Sequence, residues 1–299
     1  MAQKLILDTD IGTDVDDAWA LSLCLASGEI DLLGVTLVHA DLDTRAKIAL
    51  KMLRLAGRPQ VPVYKGISKP LTESAQVYWA GHEGTETDFS DVAGLTANEG
   101  AVDFILESAR AHPGEVVVCP VGPLTNVGEA IRRDLETMRK VRQIVIMGGT
   151  FAGEGKDLAS REHNACVDPD ASRLVLESGI PVRLIGLNVT MQVTITRDDV
   201  RPLQGCAYGD YLAAMSYQYF EVARRDVLYM HDPLAVATVI APSLVTTRPM
   251  SARVLDDGRI SWTSGGLIDV CTQVNAPAFT RLLLEKVYSL VNKGDSQCR

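Results

Sequence analysis

Five aspartates fall within ten residues near the start of the chain: Asp8, Asp10, Asp14, Asp16 and Asp17, in DTDIGTDVDDAWAL. Carboxylates held this close repel one another strongly once partly removed from water. Either several are protonated or a cation neutralises them. Hard divalent cations such as Ca²⁺ and Mg²⁺ take oxygen ligands, so a metal site is the economical reading. Gly12 permits the tight turn such a loop needs. The competing reading is structural. Asp16 and Asp17 precede AWALSLCLA, and carboxylates in a first helical turn are favoured by the helix dipole without any metal. An EF-hand loop is excluded, because its twelfth position needs Glu and, counted from Asp8, that position is Trp19.

Such a cluster needs a scaffold that holds its carboxylates against their repulsion. Short β-rich apolar runs predict strands at 4–7, 32–38, 115–119, 143–147 and 182–187. Helical patterns lie between or after them at 16–26, 43–56, 100–111, 124–134 and 169–177. The alternation predicts an α/β fold: an open, mostly parallel, Rossmann-like sheet with helices on both faces. The continuously apolar runs RQIVIM and VRLIGL suit strands buried on both sides. Segment 65–95 is polar and Gly-rich and reads as a long excursion or lid. Segment 205–232 reads as helical, and the last helix is expected at 277–291. No repeat, low-complexity tract or linker interrupts the chain, so one domain over 1–299 is expected.

Open α/β sheets bind ligands beyond the carboxyl ends of their strands. The unusual segments of this chain fall at those ends. The aspartate cluster follows the first strand, His39–Asp41 the second, Gly122–Asn126 the third, Met147–Thr150 the fourth and Asn188–Thr190 the fifth.

Of the 299 residues, 46% are hydrophobic and 22% charged, the balance of an ordinary globular protein. The net charge of −9 argues against a nucleic-acid partner, whose backbone demands basic surface. Six cysteines stand at 24, 119, 166, 206, 271 and 298 with no CxxC spacing, which argues against a zinc knuckle. Several lie in apolar runs, as buried free thiols in a reducing compartment would. The apolar start of MAQKLILDTD is too short for a signal peptide, and no run approaches the ~18 apolar residues of a membrane span. The expected location is the cytoplasm, with no membrane partner.

DTDIGT resembles the DxDxT start of haloacid-dehalogenase-type phosphatases, where the first Asp is the nucleophile. That reading requires a later Lys and a paired acidic motif after another strand, and Asp198–Asp199 in TRDDV reads instead as a helix start. A closer resemblance covers most of the chain. DTDIGTDVDDAWAL is similar to the N-terminal signature of the inosine–uridine-preferring nucleoside hydrolases, usually D-x-D-x-G-x-D-D-A-x-A-L, here with two extra residues before DDA. GVTLVHADLDTRAKIAL, VGPLTNVGEAI, QIVIMGGTF, REHNACVDPDAS and HDPLAVA resemble further family segments, in order, between about residues 4 and 290.

The resemblance implies metal-dependent hydrolysis of a ribonucleoside to ribose and free base, with Ca²⁺ as the metal. It makes Asp10 a metal ligand and the base that deprotonates the attacking water. Asp17, Asp232 and the main-chain carbonyl of Thr125 complete the protein ligands. Asp16 matches a residue that binds a ribose hydroxyl, and Glu162 and Asn164 match residues that grip the ribose on its 5′ side. Met147, which ends the fourth strand, is placed with the substrate residues. Asp8 becomes a supporting acid, and Asp14 falls in the insertion. His231, beside Asp232, is the expected proton donor to the leaving base, because imidazole suits acid catalysis near neutrality; the alternative is an ordinary buried His before a helix. The family also implies a homodimer or homotetramer. A non-catalytic sugar-binding protein on the same scaffold is the remaining alternative.

The chain departs from the family pattern at three places. Asp41 stands where the family often has Asn, and is expected still to bind a ribose hydroxyl. His163 stands where many members carry Phe or Trp. Lys156 replaces an Asn that contacts the 5′-hydroxyl. Trp79 and His82, in VYWAGHEGTE, loosely match a family loop. An aromatic there would either stack on a base or pin the lid to the body. Trp19 and Trp262 are expected to pack, the latter in a late hairpin.

Overall fold

A computed structural model of the chain describes residues 2–85, 87–153 and 161–295. Its strands are β1 (Gln3–Thr9), β2 (Ile30–Leu37), β3 (Val63–Lys65), β4 (Asn98–Glu99), β5 (Val117–Pro120), β6 (Gln143–Met147), β7 (Val182–Ile185), β8 (Thr194–Thr196), β9 (Val227–Tyr229), β10 (Val245–Val254), β11 (Ile260–Ser264) and β12 (Ile268–Val274). Ten of them form one sheet in the order β11-β10-β12-β7-β6-β5-β1-β2-β3-β4. Every pairing from β12 to β4 is parallel, whereas β10 runs antiparallel to both its neighbours. The mostly parallel α/β sheet expected from the alternating elements is therefore present. The antiparallel end was foreshadowed only by the hairpin that carries Trp262.

The two faces of the sheet follow from the period-2 geometry of a strand. In β1, Leu5 and Leu7 join one apolar cluster, which contains Trp19, Leu212, Leu234 and Leu283 from helices Asp16–Ala26, Ala207–Ala223, His231–Ile240 and Ala276–Asp295. Ile6 joins the opposite cluster, with Ile105, Val127 and Val175 from helices Ala101–Ala111, Thr125–Arg133 and Pro169–Leu176. Helices thus cover both faces.

Two stretches differ from expectation. Segment 205–232 is not one helix. Helix Ala207–Ala223 ends at Arg224, whose φ of 51° is left-handed. The β-branched and aromatic Val227–Tyr229 then pairs with β8 in a small separate sheet, and a new helix begins at His231. Pro233 is tolerated there because a first helical turn has no intrahelical partner for its missing N–H. The fifth expected strand also stops early, at Ile185, because Leu187–Thr190 turns into a short helix. Asp199 does belong to a helix start, reciprocally capped with Thr196.

The chain runs from β1 outward to β4, then returns to β5 on the other side of β1. The crevice beyond the carboxyl ends of β1 and β5 is therefore the switch point where a ligand is expected. The two loops approach closely there. A Cβ at Gly122 would sit 2.7 Å from Asp10 Oδ1 and 2.9 Å from its main-chain nitrogen, so only glycine fits.

Candidate active site

The loop after β1 is held from three sides. Gly12, at φ +118°, turns it, and a Cβ there would meet Ile48 Cδ1 at 2.7 Å. Arg45 is fully buried in helix Leu42–Leu55 and donates to main-chain carbonyls: Nε to His39 at 2.8 Å, Nη1 to Ile11 at 2.9 Å and also to Asp10. Its guanidinium lies 3.9 Å from Asp10 Oδ2. From the lid, Glu83 accepts from the Thr13 hydroxyl at 2.9 Å and from the N–H groups of Ala80 and Gly81. Neither Arg45 nor Glu83 was singled out from sequence. Arg45 had a signal, since it shares the buried helix face of Ile48, Ala49 and Met52, where an apolar residue is the norm.

The loop delivers Asp16 and Asp17 to the first turn of helix Asp16–Ala26, opposite Asp232 in the first turn of helix His231–Ile240. All three are buried, and each offers an oxygen within 4.8 Å of the others. Asp16 accepts from the N–H of Asp232 at 3.2 Å, and Asp17 from the Thr9 hydroxyl. Burial, reinforced by neighbouring carboxylates, holds all three well above the ordinary carboxylate range. An all-oxygen set of mutually repelling, buried carboxylates fits a hard cation. Asp10 lies outside this triangle, near enough for its charge to raise Asp17 and Asp232. The Thr125 hydroxyl is turned away, donating to Asp168 at 2.7 Å, so its main-chain carbonyl is what it could offer a cation. Asp16, read from sequence as a ribose-binding residue, is thus a member of the closest acidic group.

Asp8 is fully buried behind the loop. Its Oδ1 accepts from Thr36 at 2.5 Å and Asn126 Nδ2 at 2.8 Å, while Oδ2 has no partner, and burial pushes its pKa up to about 7. Asn126, in GPLTN, also donates to Leu37 O and accepts from Ile67 N–H. It thereby binds the ends of β1 and β2 to the start of the lid.

A cleft of about 450 Å³ opens over the carboxylates, with Asp10, Asp14, Glu162, Asn164, His231 and Asp232 in its walls. Met147 lines it too, as do Tyr78 and His163, which meet edge to face at 5.8 Å. Glu162 caps helix His163–Val167 by accepting from the N–H groups of Asn164 and Ala165, and it also takes Gly149 N–H at 2.8 Å. Asn164 Nδ2 donates to the carbonyls of Val121 and Met147, which leaves its oxygen free to accept. His231 Nδ1 lies 2.7 Å from the Thr190 hydroxyl. Burial and the nearby Arg225 charge lower its pKa to about 4, so the ring is neutral at neutral pH.

Asp41, His82 and Trp79 stand apart from this cleft. The Asp41 carboxylate caps helix Leu42–Leu55, taking the N–H groups of Asp43 and Thr44 and the Thr44 hydroxyl at 2.6 Å. The left-handed backbone of His39 and Ala40 sets up this cap. His82 has a ring nitrogen 2.8 Å from the Thr13 carbonyl and lines a small pocket beside the cleft, next to Tyr219. Trp79 receives the Arg45 guanidinium 5.2 Å from its ring centroid, the lid-pinning role. Trp19 and Trp262 pack as expected, donating to Ser216 Oγ and to Thr150 O. Lys156 lies outside the described residues. No helix among the described residues is long and apolar enough to cross a membrane.

Comparison with known proteins points one way. The family model described as inosine-uridine preferring nucleoside hydrolase matches residues 5–281. The chain is 30% identical to the probable uridine nucleosidase 2 of Arabidopsis thaliana, over 95% of this chain and 97% of that protein. Among solved structures, it is similar to a purine-preferring ribonucleoside hydrolase from Gardnerella vaginalis, with TM-score 0.82, 30% identity and coverage of 97% and 100% of the two chains. It is likewise similar to the plant nucleoside hydrolase PpNRh1, with TM-score 0.83, 28% identity and coverage of 96% and 99%.

Proposed function

The chain belongs to the inosine-uridine preferring nucleoside hydrolase family, a hydrolase acting on N-glycosyl bonds, and from that premise we propose that it cleaves ribonucleosides to ribose and free base around a calcium ion. The observation that carries the reading is the buried Asp16, Asp17 and Asp232 group, whose mutual repulsion calls for a cation. We assign Asp10, Asp17, Asp232 and the Thr125 carbonyl as ligands, with Asp16 shared between the acidic group and a ribose hydroxyl. When bound, the cation supplies charge neutralisation, a grip on the sugar's vicinal hydroxyls and a water of lowered pKa.

The chain's own residues do the rest. Asp10 accepts the proton of the attacking water, and Arg45 keeps the carboxylate and its loop in place. Glu162 and the free oxygen of Asn164 accept hydrogen bonds from the sugar on its 5′ side, and Met147 packs beside it. Asp41 and His82 are left with the cap and the neighbouring pocket. As the bond breaks, the sugar acquires oxocarbenium character and the base leaves with its electron pair. In the tautomer whose Nδ1 accepts from the Thr190 hydroxyl, neutral His231 carries its proton on Nε2 and donates a hydrogen bond to the departing base, which leaves as the anion and takes its proton from water. We place the enzyme in the cytoplasm, since the cysteines described are free thiols.

The test is a nucleoside panel incubated with the calcium-loaded protein and assayed for reducing sugar. Release of ribose and free base is expected. Failure to release ribose from every nucleoside would sink the reading, and phosphate from phosphomonoesters would favour the phosphatase alternative.

A further inference from the structure

Glu162 and Asn164, assigned above to the 5′ side of the sugar, are oriented by the segment that follows β6. Gly149 N–H donates to Glu162 Oε2 at 2.8 Å, and the Met147 carbonyl accepts from Asn164 Nδ2 at 3.2 Å. Both segments are held from outside by the hairpin of β10 and β11. In the sheet, β11 is an edge strand with β10, β12 and β7 between it and β6, yet the hairpin reaches back to the loop after β6.

The contacts are specific. The hairpin turn is closed by Gly258 N–H to Leu255 O at 2.9 Å, with Gly258 at φ +81°. A Cβ on Gly258 would overlap Cys166 Cα and stand 2.7 Å from the Ala165 carbonyl oxygen, so the turn lies on helix His163–Val167 only as glycine. Arg161, just before Glu162, donates from Nη2 to the Asp257 carbonyl at 3.1 Å. Two residues beyond Gly258, Ile260 Cδ1 lies 2.7 Å from where a Cβ on Gly149 would stand. Two residues further, Trp262 Nε1 donates to Thr150 O at 2.9 Å. Alternate residues of a strand share a face, so Ile260 and Trp262 are buried while Ser261 is exposed. One face of the hairpin thus grips the segment at 149–150 and the helix that carries Asn164.

We propose that the β10–β11 hairpin braces the sugar site, with Gly258 and Trp262 as positioning residues that act through Glu162 and Asn164. This rests on the hydrolase reading and deepens it. The direction of the Glu162 carboxylate is fixed by three N–H donors drawn from both segments: Gly149, Asn164 and Ala165. An ionised carboxylate accepts about four hydrogen bonds, so one place is left for the sugar. A shift of either segment re-aims that place. Misplacement by about 1 Å can cost on the order of 10²-fold in rate. Neither Gly258 nor Trp262 needs to touch the substrate to have this effect.

The experiment compares kcat/KM for uridine against 5′-deoxyuridine and for inosine against 5′-deoxyinosine, in the calcium-loaded wild type, Gly258→Ala and Trp262→Phe. The wild type should favour the 5′-hydroxyl by about tenfold or more, as expected for a hydrogen bond to a charged acceptor. Both variants should lose most of that preference, through a raised KM for the 5′-hydroxyl member, while cleaving the 5′-deoxy member at close to the wild-type rate. Trp262→Phe keeps an aromatic ring and removes the N–H donor, so it carries the test if Gly258→Ala does not fold. A variant that only loosened the fold would lower both members of a pair by one factor. Such equal losses, or preferences left unchanged, overturn this inference and leave the hydrolase reading standing, because sugar is still released. A wild type indifferent to the 5′-hydroxyl also overturns it. No sugar from any of the four substrates in the wild type would remove the hydrolase reading and this inference together.

Discussion

Two buried acidic regions lie on either side of Thr125, and they are built on opposite principles. Asp168 is fully buried and its carboxylate is saturated with donors. It accepts from the N–H groups of Leu71 at 2.7 Å, Thr72 at 3.2 Å and Ala171 at 3.2 Å, and from the hydroxyls of Thr72 and Thr125. It thereby ties the lid to helices Thr125–Arg133 and Pro169–Leu176. Asp16, Asp17 and Asp232 are as deeply buried, yet they face one another. A lone buried carboxylate with enough donors is a structural joint. Three buried carboxylates short of donors are a site waiting for positive charge. The contrast teaches that burial of an acid says little until its partners are counted.

The largest expected effect separates chemistry from support. Asp10→Asn keeps the shape of the side chain and removes the base, so kcat should fall by about 10³-fold while the melting temperature holds. Steady-state kinetics and calorimetry on one preparation test both halves. Full activity would overturn the assignment of Asp10. Asp168→Ala should do the reverse in kind, destabilising the fold by about 3 kcal/mol because several buried donors lose their acceptor together. Urea unfolding reads this. A loss within error would mean that the donors find other partners and that the contrast between the regions is weaker than drawn.

Sequence showed one region more readily than the other. The crowding of Asp16 and Asp17 before an apolar helix and the HDP triplet at 231–233 are local patterns, so the acidic group could be nominated without a structure. Alternation of apolar runs likewise exposed the parallel sheet, because strands buried on both faces must be continuously apolar. Asp168 left a local trace as well, an Asp before Pro169 at a helix start, but its donors at 71, 72 and 125 are brought together only by the tertiary fold. Arg45 was missed for a similar reason. Two of its partners are main-chain carbonyls of a loop 34 and 35 residues away, which no side-chain pattern records. Asp41 carries a second demand that sequence did not show. Its place after β2 suggests substrate binding, and in the fold two main-chain N–H groups and the Thr44 hydroxyl also reach its carboxylate, capping the helix that follows.

A smaller effect of opposite sign sharpens the comparison. Removing one charge from the repelling group relieves the others, so Asp232→Asn should stabilise the chelator-treated protein by about 1 kcal/mol. Asp168→Ala destabilises with or without metal. The same urea titration in the presence of chelator distinguishes them, and a destabilised Asp232→Asn protein would show that the group is held together by hydrogen bonds rather than pushed apart by charge.

The smallest expected effect is in the pH dependence of that chelated protein. Asp16, Asp17 and Asp232 have folded pKa values raised above those of the unfolded chain, first by burial and then by neighbouring carboxylates. Raised acids bind more protons folded than unfolded, so stability must fall as pH rises above the unfolded carboxylate pKa and through the folded values. Asp8, raised to about 7, acts in the same direction. His231 opposes them, because its folded pKa of about 4 lies below the unfolded value of 6.5, and its contribution grows until pH passes 6.5. The clean window therefore lies above pH 6.5, where His231 is neutral in both states. From there to pH 8.5 the melting temperature of the chelated protein should drop by a few degrees, and Asp232→Asn should flatten the slope. A melting temperature that climbs across this window would mean the three carboxylates are already ionised and compensated in the folded chain, and the case for a cation would lose its electrostatic ground.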